Sequence, residues 1–350
     1  MTGPSERAAA LREWQALSED MARAWRQAAE LQPVPVGITP REAVLEHDGG
    51  TLYRYSGGGG PPLLLVYSLV NRAYLLDLRE RRSVVQRLRD AGFTVYLLDW
   101  ASPGPMDRFR SLEDYIEDTL DRAVEQVSTA HGGSPVHLMG VCQGGTLSLC
   151  YAALHPERVR TLTTLVTPVD FQTAEDLLYH LARHVDFEAV VRASGNVRSL
   201  GLNMVFAGLK PFQLFGQRYL ALADLADKPD AMADFLRMER WMYDSPDQAG
   251  AAFLQFARDF YQRNGLVNAS VTLGGSRVDL GRLSMPVCNV YATADHLVPP
   301  EAARALGRLA GSADYTERAM PGGHLGVFIG GQAHRELYPW LTEWLQQRSV

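Results

Sequence analysis

Cysteine is scarce in this sequence, and its scarcity excludes several classes of protein. The chain has three cysteines in 350 residues, and no two of them form a C-x-x-C pair. A small, odd number of cysteines without such a pair argues against a disulfide framework and against a zinc site of the common spacing. We therefore expect a reducing, cytoplasmic environment and no bound metal.

An excess of positive charge and a long apolar run are also missing. Forty aspartate and glutamate residues outnumber 34 lysine and arginine residues, which gives a formal net charge of −6. Nucleic-acid binding requires a basic surface, so no nucleic-acid partner is expected. No apolar stretch is long enough to span a bilayer, and the charged segment MTGPSERAAALREW does not resemble a signal peptide. The sequence predicts that the protein is not integral to a membrane.

Strand and helix patterns alternate along much of the chain. A continuous apolar strand is predicted at Leu63–Tyr67, and further strands are predicted at Thr94–Leu98 and Thr161–Val166. A helix around 83–90 lies between the first two strands, and a helix over 111–129 follows the second. This alternation predicts an α/β fold with a mostly parallel sheet and helices on both of its faces. An apolar content of 46% and a charged content of 21% are typical of a globular protein.

A break in the alternation predicts an insertion. From residue 171 to residue 280 the pattern is helix-rich and aromatic, and strand patterns return at Pro286. We predict an N-terminal helix and arm over 1–40, a core over 41–170 and 281–350, and a helical cap over 171–280. Within the cap, the apolar segment Leu200–Phe215 is cap core, a dimer interface or a mobile gate.

The segment HLMGVCQGGTLSLC, His137 to Cys150, predicts a nucleophile elbow. It has an apolar strand, then the pattern G-x-C-x-G around Cys142, then a helix. In such an elbow the nucleophile occupies a strained strand-to-helix turn, and its neighbours must be small; here they are Gly140, Gly144 and Gly145. The helix N-terminus favours the thiolate of Cys142. Cys150 and Cys288 lie in apolar runs without an elbow, so we predict that they are buried structural cysteines.

An acid and a base follow the elbow in the chain order of α/β-hydrolase triads. Asp295 ends the strand-like run PVCNVYATAD, and His324 lies in the glycine-flanked loop PGGHLG. We predict that His324 takes the proton of the Cys142 thiol and that Asp295 orients the imidazole. Taken singly, Asp295 could instead cap a helix beginning near Pro299, and His324 could bond the backbone of its loop.

Two further histidines, His180 and His184, lie one helical turn apart, as metal ligands do. No third ligand accompanies them in the sequence, so we interpret them as surface or packing residues.

The chain resembles the polyhydroxyalkanoate synthases, in particular the short type that works with a second, smaller subunit. The resemblance runs through VGITPREAV, YSLVNRAYLLDL, MGVCQGGTLSLCYAALHPERV, LVTPVDF, VYATADHLVPP and PGGHLGVFIGG. It implies an α/β-hydrolase fold with Cys142 as nucleophile, Asp295 as acid and His324 as base. It also implies oxyanion donors at the backbone N–H groups of Gln143 and Val70.

The same resemblance implies a reaction and its partners. The substrate would be an (R)-3-hydroxyacyl-CoA, such as 3-hydroxybutyryl-CoA, with CoA as the leaving group and no cofactor. The partners would be the growing polyester, the surface of polyester granules in the cytoplasm, a smaller synthase subunit, and further copies in a homodimer or larger assembly. Two alternatives stay open: a cysteine-type thioesterase or lactone hydrolase on the same fold, and an inactive granule-associated protein.

Overall fold

A mixed sheet of eight strands organises the fold in the computed structural model, which describes residues 4–210 and 218–349. The strands, including two short two-stranded pairs outside this sheet, are β1 (Arg41–His47), β2 (Gly50–Tyr55), β3 (Pro62–Val66), β4 (Asp77–Arg79), β5 (Arg82–Ser83), β6 (Thr94–Trp100), β7 (Val136–Val141), β8 (Val159–Leu165), β9 (Thr272–Leu273), β10 (Ser276–Arg277), β11 (Val287–Ala292) and β12 (Tyr315–Met320). The spatial order in the large sheet is β1-β2-β6-β3-β7-β8-β11-β12.

The six strands from β6 to β12 in this order are parallel, whereas β1 and β2 form an antiparallel edge. Every residue of β3 and β7 is buried. Continuous burial of this kind is typical of parallel strands that are covered on both faces. The carboxyl ends of β7, β11 and β12 therefore lie at one edge of the sheet, where the chain continues into the loops that hold the predicted site residues.

Helices connect and flank the strands. They are α1 (Pro4–Leu31), α2 (Val84–Asp90), α3 (Asp121–Ala130), α4 (Gln143–Leu154), α5 (Leu177–Ala182), α6 (Phe187–Ser194), α7 (Ser199–Gly208), α8 (Arg218–Leu220), α9 (Pro229–Tyr243), α10 (Gly250–Gln255), α11 (Pro300–Arg304), α12 (Leu306–Leu309), α13 (Gly326–Ile329) and α14 (Tyr338–Gln346). Short 3-10 helices lie at Ala73–Leu76, Pro105–Phe109, Pro156–Arg158, Ala223–Leu225 and Leu280–Arg282. Stretches of π-helix lie at Asp114–Leu120, Phe256–Gln262 and Ala333–Leu337.

The predicted α/β-hydrolase fold is confirmed, and the predicted strands agree with β3, β6 and β8 to within a few residues. The predicted helix around 111–129 is a π-helical stretch followed by α3. Within the described part of the chain, no helix is long and apolar enough to cross a membrane.

Two compact units divide the chain. The larger one contains residues 37–199 and 246–350 and holds the sheet; the smaller one contains residues 1–36 and 200–245. In the smaller unit α1 packs on α9, and Ala24, Ala28 and Met232 belong to its buried cluster.

This grouping differs from the predicted boundaries, because burial of one face of α1 joins the N-terminal segment to residues 200–245. The cap over 171–280 stays a prediction. In Leu200–Phe215, α7 occupies the first part, and residues 211–215 lie outside the described residues.

Candidate active site

Cys142 occupies the turn between β7 and α4. Its backbone has φ 53° and ψ −125°, a region that residues other than glycine rarely adopt. The turn is held on both sides: the Cys142 N–H donates to Leu165 O at 2.9 Å, and the Cys142 carbonyl accepts from Gly145 N–H at 2.9 Å. The Cys142 side chain is partly exposed at this turn. Strained backbone that is held by its surroundings is typical of functional sites.

The three elbow glycines allow close approach of the backbone. A Cβ at Gly140 would lie within 3.0 Å of the Gly145 Cα, and a Cβ at Gly144 would lie within 3.0 Å of the Tyr67 carbonyl. At Gly145 the obstacle is the Thr167 side chain. Any larger residue would separate α4 from β7 and from the end of β3, so these positions require glycine for steric reasons.

Asp295 follows β11, and its two carboxylate oxygens make different contacts. Oδ1 accepts hydrogen bonds from Leu297 N–H at 2.9 Å and from Val298 N–H at 3.0 Å. Oδ2 lies 2.7 Å from Nδ1 of His324, in the loop after β12. The Asp295 side chain is fully buried. The carboxylate therefore anchors its own turn and contacts the imidazole at the same time.

The environment of His324 stabilises its protonated form. Burial alone lowers the pKa of the imidazole, but the charges of Asp295 and Cys142 and hydrogen bonds to both outweigh it and raise the pKa to about 10. His324 thus contacts Asp295, and its pKa also responds to Cys142, so the three residues that the sequence places in one site lie close together. Phe328 packs against the imidazole edge at a ring-centroid distance of 6.1 Å.

The loop after β3 carries the predicted oxyanion donor Val70. Its N–H donates to Ser68 Oγ at 3.3 Å, and Ser68 Oγ donates to Gln143 Oε1, also at 3.3 Å. Gln143 begins α4 directly after Cys142, so both predicted donors lie beside the elbow. The sequence-based predictions do not include the hydrogen bond between the Ser68 and Gln143 side chains. These two residues are 75 positions apart, and local spacing does not reveal contacts between such distant residues.

Aromatic residues contribute to the surroundings of Cys142. Burial, and to a smaller extent the charge of Cys142, raise the pKa of Tyr67 well above its usual range, and burial, Asp176 and Cys142 do the same for Tyr261. Tyr261 also packs against Phe171 at a ring-centroid distance of 4.9 Å. Both phenol groups are therefore within electrostatic range of Cys142.

The other predicted residues fall outside this site. Cys150 and Cys288 are buried, as predicted, and burial raises the pKa of each thiol to about 12. His180 lies 2.9 Å from the Ala174 carbonyl, and His184 lies 2.9 Å from Arg183 Nε. Among the described residues, no group of three histidine, cysteine, aspartate or glutamate side chains is arranged to hold a metal ion.

Comparison with known proteins identifies a matching family and similar polymerase subunits. Residues 61–330 match the α/β hydrolase fold family. The chain is 48% identical over 323 residues to a poly(3-hydroxyalkanoate) polymerase subunit PhaC of Allochromatium vinosum, and the match covers 91% of each chain. The PhaC subunit of Thiocystis violacea is 46% identical over 321 residues, covering 90% of each chain.

The similar solved structures include a monoacylglycerol lipase from Paleococcus ferrophilus. It superimposes with a TM-score of 0.55 at 20% identity, covering 85% of this chain and 99% of the lipase. Similarity at this level of identity concerns the fold alone.

Proposed function

The chain belongs to the poly(3-hydroxyalkanoate) polymerase family and is an acyltransferase on the α/β-hydrolase fold, and we propose that its substrate is an (R)-3-hydroxyacyl-CoA. The proposed monomer is the short 3-hydroxybutyryl group, which is added to a growing polyester. CoA is the leaving group, and the reaction uses no other cofactor.

The observation that carries this proposal is one buried imidazole that lies against a carboxylate and whose pKa also responds to the thiol of the elbow. His324 Nδ1 lies 2.7 Å from Asp295 Oδ2, and Cys142 contributes to the raised pKa of the same imidazole. A base that is oriented by a third group and reaches a nucleophile is the arrangement of covalent acyl transfer. Cys142 is proposed as nucleophile, His324 as base and acid, and Asp295 as the group that orients the imidazole.

The first proposed step loads the enzyme. The Cys142 sulfur, having passed its proton to His324, attacks the thioester carbonyl and forms a tetrahedral intermediate. When the intermediate collapses, the carbon–sulfur bond to CoA breaks and His324 protonates the departing sulfur. The acyl group is then a thioester of Cys142, so the energy of the substrate thioester is retained. A serine nucleophile would lose this activation at the first step.

The second proposed step forms the polymer bond. The 3-hydroxyl group of another unit gives its proton to His324 and attacks the acyl carbonyl on Cys142. The second tetrahedral intermediate collapses, an ester forms, and the Cys142 sulfur leaves and takes back the proton from His324. Both intermediates carry a negative oxygen, and the backbone N–H groups of Gln143 and Val70 are proposed to stabilise it.

Water competes with the hydroxyl group at this step, since it would hydrolyse the acyl-enzyme. Exclusion of water from the acyl-enzyme is part of the proposal, and Tyr67, whose pKa responds to Cys142, is only 4% exposed. Exclusion of water from the reacting atoms favours attack by the polymer hydroxyl over hydrolysis.

Assembly and location belong to the same proposal. The likeness to PhaC subunits supports a second synthase subunit as partner and action in the cytoplasm at the surface of polyester granules. A homodimer or larger assembly is proposed with it. We expect the purified chain to be weakly active alone and to become fully active after addition of the smaller subunit. Full activity of the chain alone would refute the need for that subunit.

The test of the reaction is incubation of the purified chain with (R)-3-hydroxybutyryl-CoA, following free CoA and the acyl product separately. The synthase predicts CoA release with insoluble polyester. CoA release with only free 3-hydroxybutyrate would establish a thioesterase instead. No CoA release, even with the smaller subunit added, would favour the inactive granule-associated alternative.

Replacement of the nucleophile provides the matched control. Cys142→Ala is expected to reduce CoA release below detection while the thermal midpoint stays close to that of the unchanged protein. Cys150→Ala, at a buried cysteine of α4, is expected to retain turnover and to lose about 1 kcal/mol of stability through the small cavity it leaves. Normal CoA release by Cys142→Ala would overturn the assignment of the nucleophile.

A further inference from the structure

The backbone of Leu69, between Ser68 and the predicted oxyanion donor Val70, is held from both sides by glutamine side chains. Its N–H donates to Gln143 Oε1 at 3.0 Å, and its carbonyl accepts from Gln248 Nε2 at 2.9 Å. The two glutamines lie 74 and 179 residues from Leu69 in the sequence. We call residues 68–70 the oxyanion loop and propose that Gln143 and Gln248 are positioning residues that fix it for acyl transfer.

The chemistry of the contacts determines how each amide group is oriented. A backbone N–H can only donate and a backbone carbonyl can only accept, so Leu69 N–H must face the oxygen of Gln143 and Leu69 O must face the nitrogen of Gln248. The Gln143 oxygen also accepts from the Ser68 hydroxyl, at 3.3 Å. Gln143 therefore holds Leu69 through its amide oxygen, and Gln248 holds it through its amide nitrogen.

Gln248 is itself held firmly. Its backbone pairs with Val197 through hydrogen bonds of 2.9 and 2.8 Å, and its side chain nitrogen also donates to the carbonyls of Pro246 and Asp247 at 3.2 Å each. Gln248 is 6% exposed, so its contact with Leu69 is shielded from water. A side chain whose backbone and amide group are both restrained is suited to hold a neighbouring loop in one place.

The positions of the two glutamines link the loop to the nucleophile. Gln143 follows Cys142 directly, so one residue supplies a proposed oxyanion donor through its backbone and holds the second donor's loop through its side chain. Val70 N–H rests on Ser68 Oγ at 3.3 Å, a long hydrogen bond that an oxyanion can replace at small cost. The hydrogen bonds of Gln143 and Gln248 to Leu69 fix the position of the Val70 N–H relative to the Gln143 N–H. Oxyanion donors stabilise the negative oxygen only within a narrow range of hydrogen-bond distance.

This inference rests on the proposed function, and its test separates the two. Gln143→Met and Gln248→Met keep the length of each side chain and remove its hydrogen bond to Leu69. In both, kcat for CoA release from (R)-3-hydroxybutyryl-CoA is expected to fall roughly 10- to 100-fold with KM changed less than threefold, since a displaced donor mainly affects the transition state. The double variant is expected to lose less than the product of the two single losses, because both side chains hold the backbone of the same residue, Leu69.

Alkylation of Cys142 by iodoacetamide distinguishes a positioning role of the two glutamines from a merely structural one. This reaction forms no oxyanion, so both variants are expected to react at close to the unchanged rate. The matched control is Gln255→Met, whose Oε1 accepts from Leu112 N–H at 2.7 Å, and which is expected to keep kcat within twofold.

Three results would overturn the inference. The first is that Gln143→Met and Gln248→Met both retain kcat within twofold. The second is that the alkylation rate of these two variants falls in proportion to kcat. The third is that Gln255→Met loses as much activity as the two variants do. If one glutamine variant does not fold, the other still decides the outcome. Absence of CoA release by the unchanged protein, even with the smaller subunit added, would instead refute the proposed function.

Discussion

At the scale of single residues, the carboxylate of Asp295 performs two tasks that one substitution can separate. Oδ1 holds the turn through Leu297 N–H and Val298 N–H, and Oδ2 contacts His324. An asparagine can keep the Oδ1 contacts, but its NH₂ group then faces the Nδ1–H of His324. The imidazole would lose its acceptor and its orienting charge, while the turn would remain.

Asp295→Asn is therefore expected to lower turnover by roughly 10³- to 10⁴-fold, as when the carboxylate of a triad is replaced by its amide. The measurement is CoA release together with the thermal midpoint, which should change by only a few degrees. Asp279→Asn, whose Oδ1 accepts from Gly281 N–H outside the site, serves as the control and should retain turnover. Similar turnover in both variants would exclude Asp295 from the reaction.

His334 is a buried side chain that the proposed reaction does not use. It is 3% exposed, and neither ring nitrogen has a hydrogen-bond partner of normal geometry. Burial lowers the pKa of His334 to about 4. Because this folded-state pKa is below the unfolded value of about 6.5, the unfolded chain binds the proton first as the pH falls, so stability is lost between about pH 6.5 and pH 4.

His334→Phe is expected to raise the free energy of unfolding at pH 7 by about 1 kcal/mol, because an unsatisfied buried polar group is removed. It should also weaken the loss of stability below pH 6.5. His137→Phe is the matched comparison. The pKa of His137 is likewise lowered to about 4, but its ring contacts Thr161 Oγ1 and Ser349 Oγ, so its replacement should destabilise the protein. Urea unfolding from pH 4 to pH 7 would reveal the opposite signs, and equal signs would contradict the argument.

At the scale of secondary-structure elements, the packing of α4 against the sheet depends on the glycines of the elbow. α4 is buried from Gly144 to Leu154 and lies against β7 and β8. This burial is possible on the side of β3 because Gly144 has no Cβ to meet the carbonyls of Val66 and Tyr67. The elbow is therefore a packing feature as well as the support of the nucleophile.

Gly144→Ala is expected to cost about 1–3 kcal/mol of stability and most of the turnover, since the added methyl group meets backbone that cannot move independently. Gly201→Ala gives the opposite expectation. An added Cβ at Gly201 in α7 would meet no atom within 4 Å, so the higher helix propensity of alanine should stabilise the protein by up to about 1 kcal/mol. Chemical unfolding of the two variants checks both signs. A stable and active Gly144→Ala protein would refute the steric account of the elbow.

At the scale of the whole molecule, α1 and residues 200–245 share one apolar cluster. Ala24 and Ala28 of α1 are buried in it, together with Leu222, Met232 and Leu236. The smaller unit thus combines two parts of the chain that are far apart in sequence. Disruption of the α1 face should loosen α9 while leaving the sheet of the larger unit intact.

Ala28→Asp places a charge at a buried position, whereas Ala29→Asp places the same charge on the exposed side of the same helix. The first is expected to destabilise the smaller unit by several kcal/mol and the second by less than about 1 kcal/mol. Hydrogen exchange should then show faster exchange in α1 and α9 of Ala28→Asp, with β7 and β8 still protected. Uniform loss of protection would mean that the two units unfold together.

The sequence alone was sufficient for the elements that depend on local pattern. The strand before Cys142, the small residues around it and the helix after it are adjacent in the chain, so their steric requirements appear as a short motif. The continuous apolar run of β3 likewise predicts a strand of a parallel sheet, since burial on both faces leaves no alternation. The burial of Cys150 in α4 and of Cys288 in β11 follows from the apolar runs in which each of them lies.

Tertiary structure alone decided the contacts between distant segments. The π-helical turn of Asp114–Leu120 has no signature in the sequence, and the pairing of α1 with α9 depends on which apolar faces meet. The hydrogen bond from Gln248 to the Leu69 carbonyl joins residues 179 positions apart. A glutamine in the sequence does not reveal whether its amide group faces water or a backbone group, because the partner is selected only when the chain packs.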